Sequence, residues 1–215
     1  VNERIRLCYW EEYGITSYIR GNPNQLISQS YYMLMDALER ETPKVVLINI
    51  QAMMTESQDT EEYNRMTFDG MAWGRNKWEA IREDAMEGEK MAEYLFPILR
   101  YHSRWSSLRA EDFLYAFREK PLTSFQGYYL RADVRPAGEF PAERRREDYR
   151  FPEKNFAYLE RIREACEERG IPLVLMKAPS LYPQWVPPYE EQIAEYAGVH
   201  GLMYCNFLNL TEEIG

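Results

Sequence analysis

Residues 155–177 read NFAYLERIREACEERGIPLVLMK, a helical pattern that ends at a glycine and continues into a short apolar run. Apolar side chains recur at helical spacing up to Cys166, and Gly170 can adopt the left-handed conformation that commonly ends a helix. The apolar run that follows is typical of a strand buried in a parallel sheet. We expect Asn155 to cap the helix, since Asn is a favoured N-cap residue.

The same order of helix, stop and strand occurs elsewhere in the chain. Repeated helix–strand units of this kind indicate right-handed crossovers and an α/β fold with a parallel sheet. Asn24 is the expected cap of the first helix. The predicted strands are Lys44–Ile50, Ile171–Lys177, Leu202–Phe207 and, more weakly, Thr16–Ile19, and the predicted helices cover residues 25–40, 155–169 and 189–197.

The stretch from about residue 53 to 152 lacks buried strand patterns and is rich in aromatic residues. Helical patches are predicted at 78–85, 90–99 and 110–118. We interpret it as a mostly helical, aromatic-rich insertion after the Lys44–Ile50 strand, within a single domain covering residues 1–215. The Pro- and charge-rich stretch Arg135–Pro152 is expected to be an exposed loop, and its Arg144–Arg146 run is expected to be a solvated surface rather than an anion site.

Composition limits the classes of function. The chain has 215 residues, 45% of them hydrophobic, and a net charge of -9. This acidic balance argues against nucleic acid as a partner, because phosphate binding needs excess Lys and Arg. The three cysteines show no CxxC spacing, and no apolar run has the length of a membrane span, so neither a zinc site nor a membrane segment is predicted. No cofactor motif occurs, and a nucleotide-binding domain is disfavoured because no phosphate loop follows a strand.

The two histidines have different settings. His200 precedes Gly201 at a predicted helix C-terminus, where a cationic side chain suits the helix dipole, so a structural role is expected. His102 lies among polar and aromatic residues, and both a site-lining and a structural role stay open. Arg100 and Arg104 are four residues apart and could bind one anion, or pair with carboxylates of the chain.

Polar residues also follow the predicted strands, where open α/β sheets bind their ligands. Gly21 and Asn22 follow the weak first strand, and Gln51 follows the second. Lys177 ends the third, shortly before Ser180. A Lys–Ser pair can be catalytic, although an ordinary turn serine is the simpler interpretation of Ser180.

Several segments resemble bacterial SGNH/GDSL-type hydrolase-like proteins, a group distantly similar to polysaccharide O-acyltransferase proteins. The order and spacing of the segments carry the resemblance rather than any one motif. The segments are Trp10–Ile15, Tyr31–Leu38, Pro43–Val46, Tyr94–Trp105 and Lys177–Tyr182.

The resemblance implies a three-layer, flavodoxin-like parallel sheet and a serine esterase or acyltransferase acting on O-acyl groups of carbohydrate or cell-envelope material. It implies a small-molecule or polysaccharide ester as the substrate, no cofactor, and an extracytoplasmic or membrane-anchored location. In such enzymes a His activates a Ser, while backbone and Asn donors hold the oxyanion.

The chain departs from that pattern. The Ser turn would precede Val1 and the Asp-x-x-His segment would follow Gly215, so no catalytic nucleophile or base is expected within the chain. Gln51 stands where the family has Gly-x-Asn, and only Gly21 with Asn22 resembles an oxyanion block. The alternative is a non-catalytic binding or assembly module on the same fold.

Overall fold

In the described part of the computed structural model, three parallel strands form a sheet in the order β1 (Val46–Asn49), β2 (Leu173–Lys177) and β3 (Met203–Asn206). The structure describes residues 13–58, 60–96, 99, 109, 149–179 and 185–208. Each strand lies within a predicted run but is shorter than that run. The expected α/β fold with a parallel sheet is therefore confirmed.

Helices pack against this sheet in the described residues. In the segment after β1, where the insertion was predicted, the secondary-structure elements of the described residues 53–58 and 60–96 are all helices. The 3₁₀ helix covers Ile50–Met54, and the α-helices are α1 (Ile27–Leu38), α2 (Glu61–Asp69), α3 (Arg75–Asp84), α4 (Met91–Leu95), α5 (Glu153–Glu167) and α6 (Pro187–His200).

The core lies between the strands and helices α1, α5 and α6. Leu159 and Ile162 of α5, Ile193 of α6 and Leu175 of β2 are fully buried in one cluster. Burial of such side chains contributes about 1.5–3 kcal/mol each. These are the residues that the helical and apolar patterns place on the inner faces.

A cation stacked on aromatic rings joins α5 to α1. The Arg161 guanidinium carbon lies 4.1 Å from the ring centroid of Tyr31 and 4.9 Å from that of Tyr158. Such contacts contribute about 0.5–2 kcal/mol. The α1–α5 interface thus combines apolar burial with cation–π stacking.

The two faces of the sheet are covered unequally. Leu47, Val174 and Met203 lie side by side in register on one face. Leu47 is 43% exposed and Met203 is 64% exposed. In the described part of the chain, the helical layer therefore covers mainly the opposite face.

Helix ends follow the expected glycines at two places. Gly170 and Gly201 both have φ of +63°, the left-handed conformation predicted for the stops of α5 and α6. An added Cβ there would strain the backbone.

Three local predictions were wrong. Residues Thr16–Ile19 form no strand, and Tyr18 is exposed rather than packed in a sheet. Leu26, not Asn24, occupies the N-cap of α1, and its N–H donates to Gln29 Oε1 at 3.2 Å. Asn155 lies inside the first turn of α5, and Pro152 holds the N-cap position. For Asn155, contacts distant in sequence replace the expected cap, since its side-chain amide donates to the Met53 and Thr55 carbonyls.

Candidate functional site at the carboxyl ends of the strands

Lys177 is the last residue of the central strand. Its side chain is 1% exposed, and its ammonium donates to the Ala178 carbonyl at 2.9 Å. The same nitrogen lies 5.3 Å from the ring centroid of Trp185. A buried cation at the carboxyl edge of a parallel sheet stands where α/β proteins bind ligands. The predicted position of Lys177 at this edge is therefore confirmed.

The Glu190 carboxylate accepts several hydrogen bonds at the same edge of the sheet. One of its carboxylate oxygens, Oε2, accepts from Trp185 Nε1 at 2.8 Å, from the Tyr204 hydroxyl at 2.7 Å and from Asn206 Nδ2 at 2.8 Å. Burial and the Glu190 carboxylate raise the pKa of Tyr204, which therefore stays a neutral donor. Charge-assisted bonds of this length are strong and fix the start of α6 against the end of β3.

The chain that leaves β3 is held at the same edge. Asn206 Oδ1 accepts from the Leu208 N–H at 2.9 Å, and the Phe207 N–H donates to the Lys177 carbonyl at 2.9 Å. Lys177 and Asn206 are partners in the strand register. We call Lys177, Trp185, Glu190, Tyr204 and Asn206 the strand-end cluster.

Gln51 follows β1 in the first turn of the 3₁₀ helix. Its N–H donates to Asn49 Oδ1 at 3.2 Å, and its side-chain amide lies 3.0 Å from Met54 Sδ. Asn49 thus caps the 3₁₀ helix. The backbone N–H and the side-chain amide nitrogen of Gln51 are thus used within its own turn.

Asn22, which follows Gly21, contacts the helical insertion. The Asn22 N–H donates to Gln25 Oε1 at 2.9 Å, and its side-chain amide donates to Thr67 Oγ1 at 3.0 Å. An oxyanion hole needs donors directed at the substrate. Both kinds of Asn22 donor are instead engaged within the chain.

A buried polar network lies behind Asn22, between α1 and α2, and the sequence did not predict it. Gln29 and Asn64 are both fully buried, and Gln29 Nε2 donates to Asn64 Oδ1 at 2.6 Å. Asn64 Nδ2 donates to the Asp84 carbonyl at 2.9 Å and to Glu89 Oε2 at 3.2 Å. Since these partners are up to 35 residues apart, no local motif could show that they meet.

Four of the predicted site residues, Arg100, His102, Arg104 and Ser180, lie outside the described residues, as do Trp105, Arg144–Arg146 and the patch at 110–118. His200 ends α6, and its Nε2 lies 3.8 Å from Glu160 Oε2. Its ring is tilted by 45° to the Tyr196 ring, with 4.5 Å between the centroids. These contacts fit the expected structural role of His200.

The Glu160 carboxylate makes the stability of the folded protein depend on pH. Hydrogen bonds from Arg163, together with Tyr196 and the charges of Arg163 and His200, lower the Glu160 pKa to about 2. A lowered folded-state pKa stabilises the folded protein at pH values above the ordinary glutamate pKa of about 4.3. This stabilisation is lost as the pH falls toward about 2. Because the Glu160 carboxylate is one-third exposed, we expect it to contribute only about 1 kcal/mol to the free energy of unfolding.

The measurement compares the wild type with Glu160→Gln by urea denaturation at pH 7 and pH 3. The wild type should be the more stable protein at pH 7, and the difference should shrink at pH 3. A difference independent of pH would contradict the role of the carboxylate charge.

Within the described ranges, no three His, Cys, Asp or Glu side chains lie close enough together to hold a metal ion. None of the described helices is both long and apolar enough to cross a membrane. Comparisons with protein families, curated proteins and solved structures found no match to this chain.

Proposed function

We propose that this chain is the scaffold part of an SGNH-type esterase or acyltransferase acting on O-acyl groups of carbohydrate or cell-envelope material. The proposal includes a three-layer, flavodoxin-like arrangement. The serine nucleophile and the Asp–His base would be supplied by segments that adjoin these residues in a longer protein.

The observation that carries the proposal is the strand-end cluster. Lys177 and Asn206 end adjacent parallel strands, and Glu190 ties Asn206 to the start of α6. An ordered polar edge of this kind suits a substrate bound across the carboxyl ends of the strands. Trp185 adds an aromatic surface next to Lys177, as suits a sugar ring or an acyl chain.

The test uses the chain extended at both ends in its native gene, assayed on a short-chain p-nitrophenyl ester and with a fluorophosphonate probe. We expect turnover or labelling that disappears when the upstream serine is replaced by alanine. Absence of both turnover and labelling from the folded extended protein would refute the serine hydrolase proposal.

A second candidate is a non-catalytic binding or assembly module. The hydrogen bonds that Asn22 and Gln51 donate within the chain favour it, because an oxyanion hole needs donors directed at the substrate. A Ser-bearing turn upstream and an Asp-x-x-His segment downstream would favour the enzyme. Their absence from the native gene would favour the module.

A further inference from the structure

The Glu190 carboxylate uses one of its two oxygens within the described part of the chain. Oε2 accepts from Trp185, Tyr204 and Asn206, whereas no donor among the described residues reaches Oε1. Three hydrogen bonds that converge on one oxygen fix the carboxylate plane, and with it the position of Oε1. Glu190 is half-buried and its Oε1 is open to solvent. The strand-end cluster therefore holds a fixed acceptor at the protein surface.

Asn206 places a donor beside this acceptor. Its Oδ1 accepts from the Leu208 N–H at 2.9 Å, which fixes the orientation of the side-chain amide. One N–H of Nδ2 binds Glu190 Oε2 at 2.8 Å, and the second has no acceptor among the described residues. Asn206 is an exposed residue, so a ligand can approach this second N–H.

The acceptor and the donor are close neighbours. Oε1 shares its carbon atom with Oε2, and the second N–H shares its nitrogen with the N–H that binds Oε2. A ligand that uses both must offer a donor and an acceptor side by side. A hydroxyl group can do both with one oxygen, and a sugar carries such groups on neighbouring carbon atoms.

The charges at this edge of the sheet favour a neutral ligand. The Lys177 ammonium lies 5.3 Å from the ring centroid of Trp185, whose Nε1 binds Glu190, so a buried cation already accompanies the carboxylate. An anionic ligand would be repelled by Glu190. A peptide fits less well than a sugar, because the N–H and C=O of one trans peptide unit point in opposite directions.

We propose that Glu190 and Asn206 form a subsite for two neighbouring hydroxyl groups of a sugar. Glu190 Oε1 accepts from one hydroxyl, and Asn206 Nδ2 donates to the other. The role of the subsite in a reaction rests on the proposed esterase or acyltransferase function, in which it holds the carbohydrate part of the ester. Glu190 is then the residue that selects sugar esters over esters of simple alcohols.

The first experiment measures sugar binding without turnover. The chain extended at both ends in its native gene is titrated with the methyl glycosides of glucose, galactose and mannose and followed by NMR. We expect at least one glycoside to bind, and Glu190→Gln to weaken its binding about tenfold, as expected for loss of a hydrogen bond to a charged group. Binding of none of the glycosides, or of only the peptide probe N-acetylglycine methylamide, would overturn the proposal.

Glutamine is an informative substitution because it keeps one oxygen for the three donors and replaces the other with an NH₂ donor. Glu191→Gln is the matched control, since Glu191 is the next residue of α6 and is exposed. Asn206→Ala, at an exposed position, removes the second N–H and should weaken glycoside binding several-fold. Circular dichroism checks that each variant is folded. Equal effects of Glu190→Gln and Glu191→Gln on glycoside binding would contradict the subsite.

A second experiment connects the subsite to the reaction. The O-acetyl ester of the glycoside that binds is compared with cyclohexylmethyl acetate, which has a ring and an acetyl ester but no hydroxyl group. Glu190→Gln should lower the ratio of kcat/KM for the sugar ester to kcat/KM for the cyclohexyl ester about tenfold, mainly through KM. An unchanged ratio in an active enzyme would overturn the subsite. A protein that binds glycosides but hydrolyses neither ester would refute the esterase proposal and leave the sugar subsite as that of a binding module.

Discussion

Replacing Asn64 with leucine is expected to lower the free energy of unfolding by about 3–5 kcal/mol. Asn64 accepts from Gln29 and donates to the Asp84 carbonyl and to Glu89, all inside the interface of α1, α2 and α3. The leucine side chain has the same branched shape and number of heavy atoms as that of asparagine, so it leaves no cavity. The loss arises from buried polar groups that no longer have hydrogen-bond partners. Each buried group without a partner costs about 1–3 kcal/mol.

The measurement is urea denaturation followed by circular dichroism. Asn76→Leu is the matched control, because the Asn76 amide makes a surface hydrogen bond to Glu39. We expect that control to change the free energy of unfolding by less than about 1 kcal/mol, as surface substitutions usually do. Equal losses in the two variants would mean that the buried network contributes nothing specific.

A double variant tests whether Gln29 and Asn64 act together. If Gln29→Leu and Asn64→Leu are combined, both ends of the 2.6 Å hydrogen bond become apolar. The combined loss should then be smaller than the sum of the single losses by about 1–3 kcal/mol. Additive losses would show that the two side chains are independent.

The sequence predicted the sheet well because its strands have strong local signals. The predicted runs Lys44–Ile50, Ile171–Lys177 and Leu202–Phe207 are short and mostly apolar, and they follow Pro43 or a helix-stopping glycine. The weak run Thr16–Ile19 had no such context and forms no strand. Strand existence was therefore predictable where hydrophobicity and a stop signal coincided.

The strand-end cluster was only partly predictable. Lys177 could be placed because it ends a strand, whereas nothing in the local sequence distinguishes Glu190 from other charged residues of a helix. Its partners Tyr204 and Asn206 are 14 and 16 residues away and meet it only through the register of β3 with β2. Register and side-chain direction are tertiary properties that no spacing rule supplies.

Asn155→Asp should lower the free energy of unfolding by about 3 kcal/mol or more at pH 7. The Asn155 amide donates to the Met53 carbonyl at 2.9 Å and to the Thr55 carbonyl at 3.1 Å. A carboxylate there would face two carbonyl oxygens in a buried site. An N-cap asparagine, as the sequence predicted, would instead tolerate aspartate without loss.

The pH dependence of this variant gives a second readout. Burial against two carbonyls would raise the folded-state pKa of the introduced carboxyl above its ordinary value of about 3.9. A raised carboxyl pKa destabilises the folded state above that pKa, and the penalty is relieved as pH falls and the group becomes a donor. The deficit relative to wild type should therefore shrink between pH 7 and pH 4.

Asn76→Asp is the control for this substitution, since Asn76 is the second residue of α3 and is likewise in the first turn of a helix. Its amide bonds Glu39 at the surface, so we expect a change within about 1 kcal/mol. If the Asn155→Asp variant is as stable as the wild type at pH 7, the interpretation of Asn155 as the N-cap of α5 would be supported. A large loss that shrinks at low pH would instead identify Asn155 as the link between the segment after β1 and α5.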